Sequence, residues 1–267
     1  MLYNGSTMKL KKVFQKKVAT VSKLYEKLPK EENIEDLHQY RVNIRKLQSY
    51  LEVYEENFSA KVNAKISKLL KILLKPTSVV RDLDLFLLEI EKLDFSSDTK
   101  EKLSNLFMFK REKIFDDLIH NKRYKKSLKK LNSIVKESSF NAKELKKKES
   151  VEILKHMNTV IVDKCRVFDE KTPLYELHSL RKDFKKFRYA YELHQQQFTK
   201  EGILINTFSD LKEVQELFGI LQDNATRLKF IKKIKPGLEE KEFEALSSYF
   251  EEQIENAREK LFHVIQE

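Results

Sequence analysis

The chain has 267 residues, 40% of them hydrophobic, which is enough to bury a real core in one large domain or two of ordinary size. Its 53 lysines and arginines against 42 aspartates and glutamates leave a formal charge of +11, favouring polyanionic partners such as nucleic acid, polyphosphate or an anionic membrane surface. A single cysteine, Cys165, excludes a disulfide framework and a thiolate metal cage, and four glycines with four prolines exclude a fold built on tight turns. The composition, rich in Lys, Leu, Glu and Phe, reads as all-α. The longest apolar runs, such as LFLLEI from Leu85, fall far short of the ~20 residues that cross a bilayer, and MLYNGSTMKLKK lacks a signal-peptide core. A soluble, reducing, cytoplasmic setting is the expectation, with Cys165 an inert core thiol.

In chain order the periodicity predicts about ten helical stretches. The first runs from about Met8 to Leu28 and is stopped by Pro29; the second covers about Ile34 to Asn57. A third, about Lys61 to Lys75, is ended by Pro76, after which Thr77 and Ser78 can cap a new start for VVRDLDLFLLEIEKL. Another begins near Asp98 and continues through KRYKKSLKKL, with a break around Asn121. The polar stretch 137–150 has no apolar period and is taken as a linker. Beyond it the pattern restarts with a helix over Val151 to Phe168 and another from Pro173. A linker around Thr199 to Asn206, a helix through FSDLKEVQELFGILQDNATRLKFIKKI, a Pro236-Gly237 interruption and a final helix from about Leu238 complete the chain. The expected organisation is one domain over 1–267 made of two helical-bundle halves, 8–136 and 151–267.

The two halves share a motif. LHQYRVNIRKLQSYLEVY, from Leu37, returns as LHSLRKDFKKFRYAYELH, from Leu177. A second landmark, TSVVRD from Thr77, matches FGILQD from Phe218: His178 lies 140 residues after His38, and Asp223 lies 141 after Asp82. An internal duplication, with the halves packed about an approximate two-fold axis, explains this register more simply than coincidence.

Advancing about 100° per residue from the histidine gathers the positions at +3, +7 and +10 on one side of the helix, flanked by +8. That side carries His38, Arg41, Arg45 and Lys46 in one copy and His178, Arg181, Lys185, Lys186 and Arg188 in the other. Roughly opposite lie Leu37, Tyr40, Ile44, Leu47 and Leu51, and Leu177, Leu180, Phe184, Phe187 and Tyr191. The apolar stripe must face the core, so the cations must face solvent, a groove or the other half. A charged helix face is ordinarily just solvated, but this one is nearly pure in sign and recurs. Like charges at such spacing repel, and a bound anion would offset that. The row spans about 15 Å at about 1.5 Å per residue, which is long for one phosphate and suits a chain of them. Arginine brings a forked donor set, lysine a mobile point charge, and histidine a charge that grows as pH falls through the sixes.

The pattern H-x-x-R-V-x-x-R-[RK]-L, its second copy, and the downstream elements R-D-x-D and L-[FL]-G-x-L-x-D resemble the CHAD family, the conserved histidine α-helical domain. The resemblance covers the chain from about Met8 to its C-terminus. It implies an all-helical fold of two related four-helix bundles that binds inorganic polyphosphate along a basic groove or pore. By position the binding residues would be His38, Arg41, Arg45, Lys46, His178, Arg181, Lys185, Lys186 and Arg188, with Arg81 added from the R-D-x-D element. The sequence departs from the pattern at Gln48, Lys185 and Gln222, where cations or arginines would be expected.

Asp82-x-Asp84 is similar to a magnesium-binding pair, but Asp82 and Asp223 are better read as helix-start or ion-pair residues that orient arginines. There is no phosphate-binding glycine loop and no E-x-E-x-K signature of the triphosphatase tunnel domain. His120, His156, His194 and His263 lack metal-ligand spacing and are expected at or near the surface. Core packing is the expectation for most of Phe107, Phe109, Tyr189 and Tyr191, while KRYKKSLKK from Lys122 either extends the anion surface or is solvated. No catalytic constellation, cofactor or metal site is expected. A non-catalytic polyphosphate-binding module leads, as a monomer and in reach of polyphosphate granules. A helical nucleic-acid binder and a metal-dependent polyphosphate-processing enzyme are the alternatives.

Overall fold

The structure of the chain is a computed structural model that describes residues 7–31, 34–93, 95–137, 140, 142–169, 171–198, 211–234 and 239–266. Among the described residues the fold is all-α: α1 (Leu10–Glu31), α2 (Ile34–Val53), α3 (Ala60–Ile90), α4 (Ser97–His120), α5 (Lys122–Lys136), α6 (Lys147–Val167), α7 (Leu174–Gln197), α8 (Leu211–Ile234) and α9 (Glu240–Gln266). A 3-10 turn at Glu55–Asn57 follows α2, and the two-residue strands β1 (Thr7–Met8) and β2 (Leu145–Lys146) pair antiparallel. No described helix is long and apolar enough to cross a membrane. The chain divides into two compact units, Asn4–Lys147 and Lys148–Glu267.

In the first unit, side-chain oxygens cap the new starts. Ser59 accepts from the Val62 N–H ahead of α3, and Ser96 from the Thr99 N–H ahead of α4. Asn121 makes the expected break, its Oδ1 accepting from the Arg123 N–H at 2.9 Å to start α5. Prolines behave differently from expectation. α1 continues past Pro29 to Glu31, and α3 runs unbroken through Pro76 for 31 residues. The Thr77 hydroxyl donates to the Leu74 carbonyl at 2.7 Å and the Ser78 hydroxyl to the same oxygen at 3.3 Å, neither of which replaces the bond that Pro76 cannot make to the Ile72 carbonyl. Pro76 itself is buried, so packing holds the helix across it.

An aromatic cluster anchors this unit. Phe14 lies with its ring centroid 5.1 Å from Phe58, which stacks on Phe140 at 5.9 Å; Tyr50 lies 6.4 Å from Phe14. Phe140 belongs to the stretch expected as a linker, which is not featureless at its described positions. The Lys143 N–H donates to the Asn57 carbonyl, Phe58 bridges to Ala142, and β2 pairs with β1.

The second unit packs α8 against α9 and α7 against α8. Its core holds Phe184, Phe187, Phe218, Leu221, Leu246 and Phe250, all buried, with Phe184 and Phe218 rings 5.6 Å apart. Pro173 occupies the position just before α7, where its missing N–H costs nothing. The linker expected around Thr199 to Asn206 and the interruption at Pro236-Gly237 lie outside the described residues.

Candidate functional site

Both motif segments are single helices, α2 and α7, and the apolar stripe decides how each is turned. Leu37, Tyr40, Ile44, Leu47 and Leu51 are all buried in the first unit, as are Leu177, Leu180, Phe184 and Phe187 in the second. Burial of each such side chain contributes about 2 kcal/mol, enough together to fix the rotation of the helix. Tyr191 closes the second stripe only half-buried, stacked on Phe187 at 6.1 Å. Acidic residues in the first turns, Glu35 and Asp36 in α2 and Glu176 in α7, complement the helix dipoles.

A second, unforeseen contact repeats in the two units. The Lys17 ammonium of α1 donates to Asn43 Oδ1 of α2 at 3.2 Å, and the Lys164 ammonium of α6 pairs with Asp183 of α7 at 2.5 Å. Asn43 and Asp183 hold the same position relative to their histidines, five residues on. In each unit the preceding helix is therefore clamped to the motif helix on its flank.

The cation rows are partly sheltered rather than freely solvated. His38, Arg45 and Lys46 of α2 are half-buried, as are His178, Arg181, Lys185, Lys186 and Arg188 of α7 and Arg81 of α3. Arg41 departs from the expected row. It is only 9% exposed, and its guanidinium donates to Thr77 Oγ1 at 3.2 Å and Ser78 Oγ at 2.8 Å. Thr77 and Ser78, expected to cap a new helix, instead brace α3 behind Pro76 and receive Arg41. This arginine thus ties α2 to α3, and part of its donor set is spent inside the fold.

On α7, Arg188 pairs with Glu192 at 3.4 Å and lies 5.1 Å from the Tyr189 ring centroid. His178 and Arg181 line a small pocket with Leu174, Leu177, Phe218, Leu221, Gln222 and Ala225, between α7 and α8. Gln222, which stands where the first half has Arg81, hydrogen-bonds His178. Burial first, then the charges of Lys182 and Arg181, hold His178 below the ordinary histidine range; Lys229 adds to this and the Gln222 bond opposes it. The proton expected in the sixes is therefore taken up at lower pH.

Of the two readings of the aspartates, the helix-start one is excluded. Asp82 lies in the interior of α3 and Asp223 in the interior of α8, so neither starts a helix. Asp84, two residues on from Asp82, forms a buried ion pair: its Oδ1 meets Arg111 Nε of α4 at 2.7 Å, and their side chains are 1% and 14% exposed. Arg111 also lies 5.1 Å from the Phe115 ring centroid. Among the described residues no three His, Cys, Asp or Glu side chains converge as a metal site.

Cys165 is buried, which pushes its thiol up to about 12. His120, His156 and His263 are exposed. His194 is not at the surface: it is 2% exposed, its Nδ1 lies 2.8 Å from Ser150 Oγ, and its ring packs on Phe198. Phe107 packs edge-on against Phe86 at 4.6 Å and Tyr189 is buried, as expected for most of the four aromatics, whereas Phe109 is 70% exposed.

A family model described as CHAD domain matches residues 12–232, more than half of the chain. The fold is similar to the crystal structure of the CHAD domain from the plant Ricinus communis, with a TM-score of 0.74 at 15% identity, covering 99% of this chain and 94% of that one. It is also similar to a structure described as PptA from Streptomyces chartreusis, with a TM-score of 0.65 at 12% identity, covering 95% and 96%. No curated protein matches the chain.

Proposed function

The chain belongs to the CHAD domain family, and on that premise we propose that it is a non-catalytic module that binds inorganic polyphosphate through the cation rows of α2 and α7. One observation carries this reading. Two helices with largely buried apolar stripes each keep half-buried same-sign side chains on the opposite side, over about 12 Å in α2 (His38 to Lys46) and about 15 Å in α7 (His178 to Arg188). The ligand that offsets such a row is a chain of phosphates bound by charge and spacing. Arg45 and Arg81 support it further, since neither forms an ion pair or hydrogen bond among the described residues. Arg41 contributes chiefly by holding α2 on α3. In a cell the module would act where polyphosphate accumulates, in the cytoplasm or on polyphosphate granules.

Binding driven by cation–phosphate contacts should weaken steeply with salt, and it should favour long-chain polyphosphate over single-stranded RNA at equal phosphate concentration and fixed ionic strength. RNA displacing polyphosphate under those conditions would shift the reading to nucleic acid. Release of phosphate on adding magnesium would make the protein an enzyme.

The depressed His178 adds a pH dependence. The unfolded chain binds this proton below about 6.5 and the folded unit only lower, so the histidine's contribution to stability is present above that range and falls as pH drops through it. A bound polyanion opposes the Lys182 and Arg181 fields and favours protonation. Affinity should therefore rise as pH falls from about 7.5 to about 5.5, and His178→Gln should remove that part of the rise. A wild-type affinity that is flat over the interval contradicts a role for His178 in binding.

A further inference from the structure

A dense positive surface of the first unit lies away from its motif helix. Two adjoining hollows of about 590 and 540 Å³ lie between the N-terminal half of α3 and α5. Lys68, Ile72 and Arg123 line both, so the two form one continuous groove. Its walls carry Lys65, Lys68, Lys71 and Lys75 from α3 and Lys122, Arg123, Lys126 and Lys130 from α5, and among the described residues no carboxylate lines it. All eight cations are exposed, and none of their side chains forms an ion pair or hydrogen bond among the described residues. No residue of α2 contributes to the lining.

Each helix aligns its cations by its own period. Positions 65, 68, 71 and 75 follow one side of α3, and 122, 123, 126 and 130 one side of α5, so like charges sit three and four residues apart and repel. Leu69, Ile72 and Ser127 form the floor, and the packing of α3 on α5 holds the two rows facing one trough. A ligand that offsets both rows must be negative along its length for about 15 Å. Seven of the eight cations are lysines, mobile point charges that follow a chain without demanding one geometry. Tyr124 is the aromatic in the lining, and its hydroxyl donates to Asp117 at 3.3 Å; successive stacking platforms for bases are lacking. The trough is concave and no large apolar side chain in its lining is exposed, which is the wrong form for a bilayer surface.

We propose that the α3–α5 groove is a second polyphosphate-binding surface, independent of the α2 and α7 rows. The ligand named here rests on the functional reading above; the groove itself does not. Two quadruple variants separate them. One carries Lys65→Ala, Lys68→Ala, Lys126→Ala and Lys130→Ala; the other carries Arg45→Ala, Lys46→Ala, Lys185→Ala and Lys186→Ala. Short-chain polyphosphate is titrated calorimetrically into the whole chain, with circular dichroism confirming the fold of each variant. Wild type should bind at two classes of site, and each variant should lose one class. The groove variant should also flatten the slope of log affinity against log salt for long-chain polyphosphate by about 3. Lysine-to-arginine replacement at the same four groove positions should retain binding, which guards against a folding artefact. A groove variant that titrates as wild type overturns the groove and leaves the functional reading standing. Binding lost in the groove variant and unchanged in the other overturns the motif-row reading instead. Wild-type protein that binds no polyphosphate overturns both, and preferential capture of single-stranded RNA by the groove overturns its ligand.

Discussion

Alanine at Arg45, Lys46, Lys185 and Lys186 together should weaken binding of long-chain polyphosphate about a thousandfold with helicity unchanged. A half-buried cation against a phosphate contributes roughly 1 kcal/mol, so four contribute about 4 kcal/mol, and each ~1.4 kcal/mol is tenfold in affinity. The choice of positions follows from where the structure has turned each side chain. Arg41 is left intact because its guanidinium holds Thr77 and Ser78 across the Pro76 segment, so its removal would mix stability with binding. Arg188 is left intact because Glu192 already engages it. The four chosen residues are half-buried on the side away from the core, and alanine is a strong helix former. Equilibrium titration with circular dichroism reads the result; unchanged affinity in a folded variant would remove the site.

Arg111→Met should cost about 3–5 kcal/mol of stability, the penalty for leaving a buried carboxylate without its counter-charge. Asp84 Oδ1 takes its 2.7 Å contact from Arg111, while Oδ2 is buried with no hydrogen-bond partner among the described residues. The pair is therefore incompletely satisfied, and replacing both members by apolar groups should be cheap. The double variant Asp84→Leu, Arg111→Met should recover most of the loss, seen as a Tm within a few degrees of wild type against a drop of roughly 10 °C for the single change. The same double variant should keep polyphosphate affinity within about threefold, because the aspartate braces α3 on α4 and does not hold a ligand. Loss of binding in a double variant of normal Tm would give Asp84 a direct functional role.

What the sequence makes legible is whatever has a local period. The 3.6-residue spacing of Leu37, Tyr40, Ile44 and Leu47, and of Leu177, Leu180, Phe184 and Phe187, oriented both helices, and all eight are buried. Asn121 announced its break because a cap is a local bond. Pro76 misled because its offsets are tertiary: burial of the ring and the brace from Arg41 on another helix override the local penalty. Arg41 itself has the spacing of a ligand-facing cation, and only the hydroxyls 36 and 37 residues away explain why it turns inward. Arg111 lies 27 residues from Asp84 with no motif around it, so its partner could not be read from spacing. His194 is buried against expectation, and Phe109 is exposed where most of its group packs inward, for one reason. Burial is decided by which helices pack, and neither a lone histidine nor one phenylalanine in a mixed helix records that.

The most direct measurement is equilibrium binding of long-chain polyphosphate to the intact protein near physiological salt, with chain length and free phosphate assayed afterwards. Saturable binding that survives an equal phosphate concentration of single-stranded RNA, with the polyphosphate recovered at full length in the presence of magnesium, is the expected result. An absence of saturable binding, displacement by RNA, or shortened chains with free phosphate would contradict a non-catalytic polyphosphate-binding module.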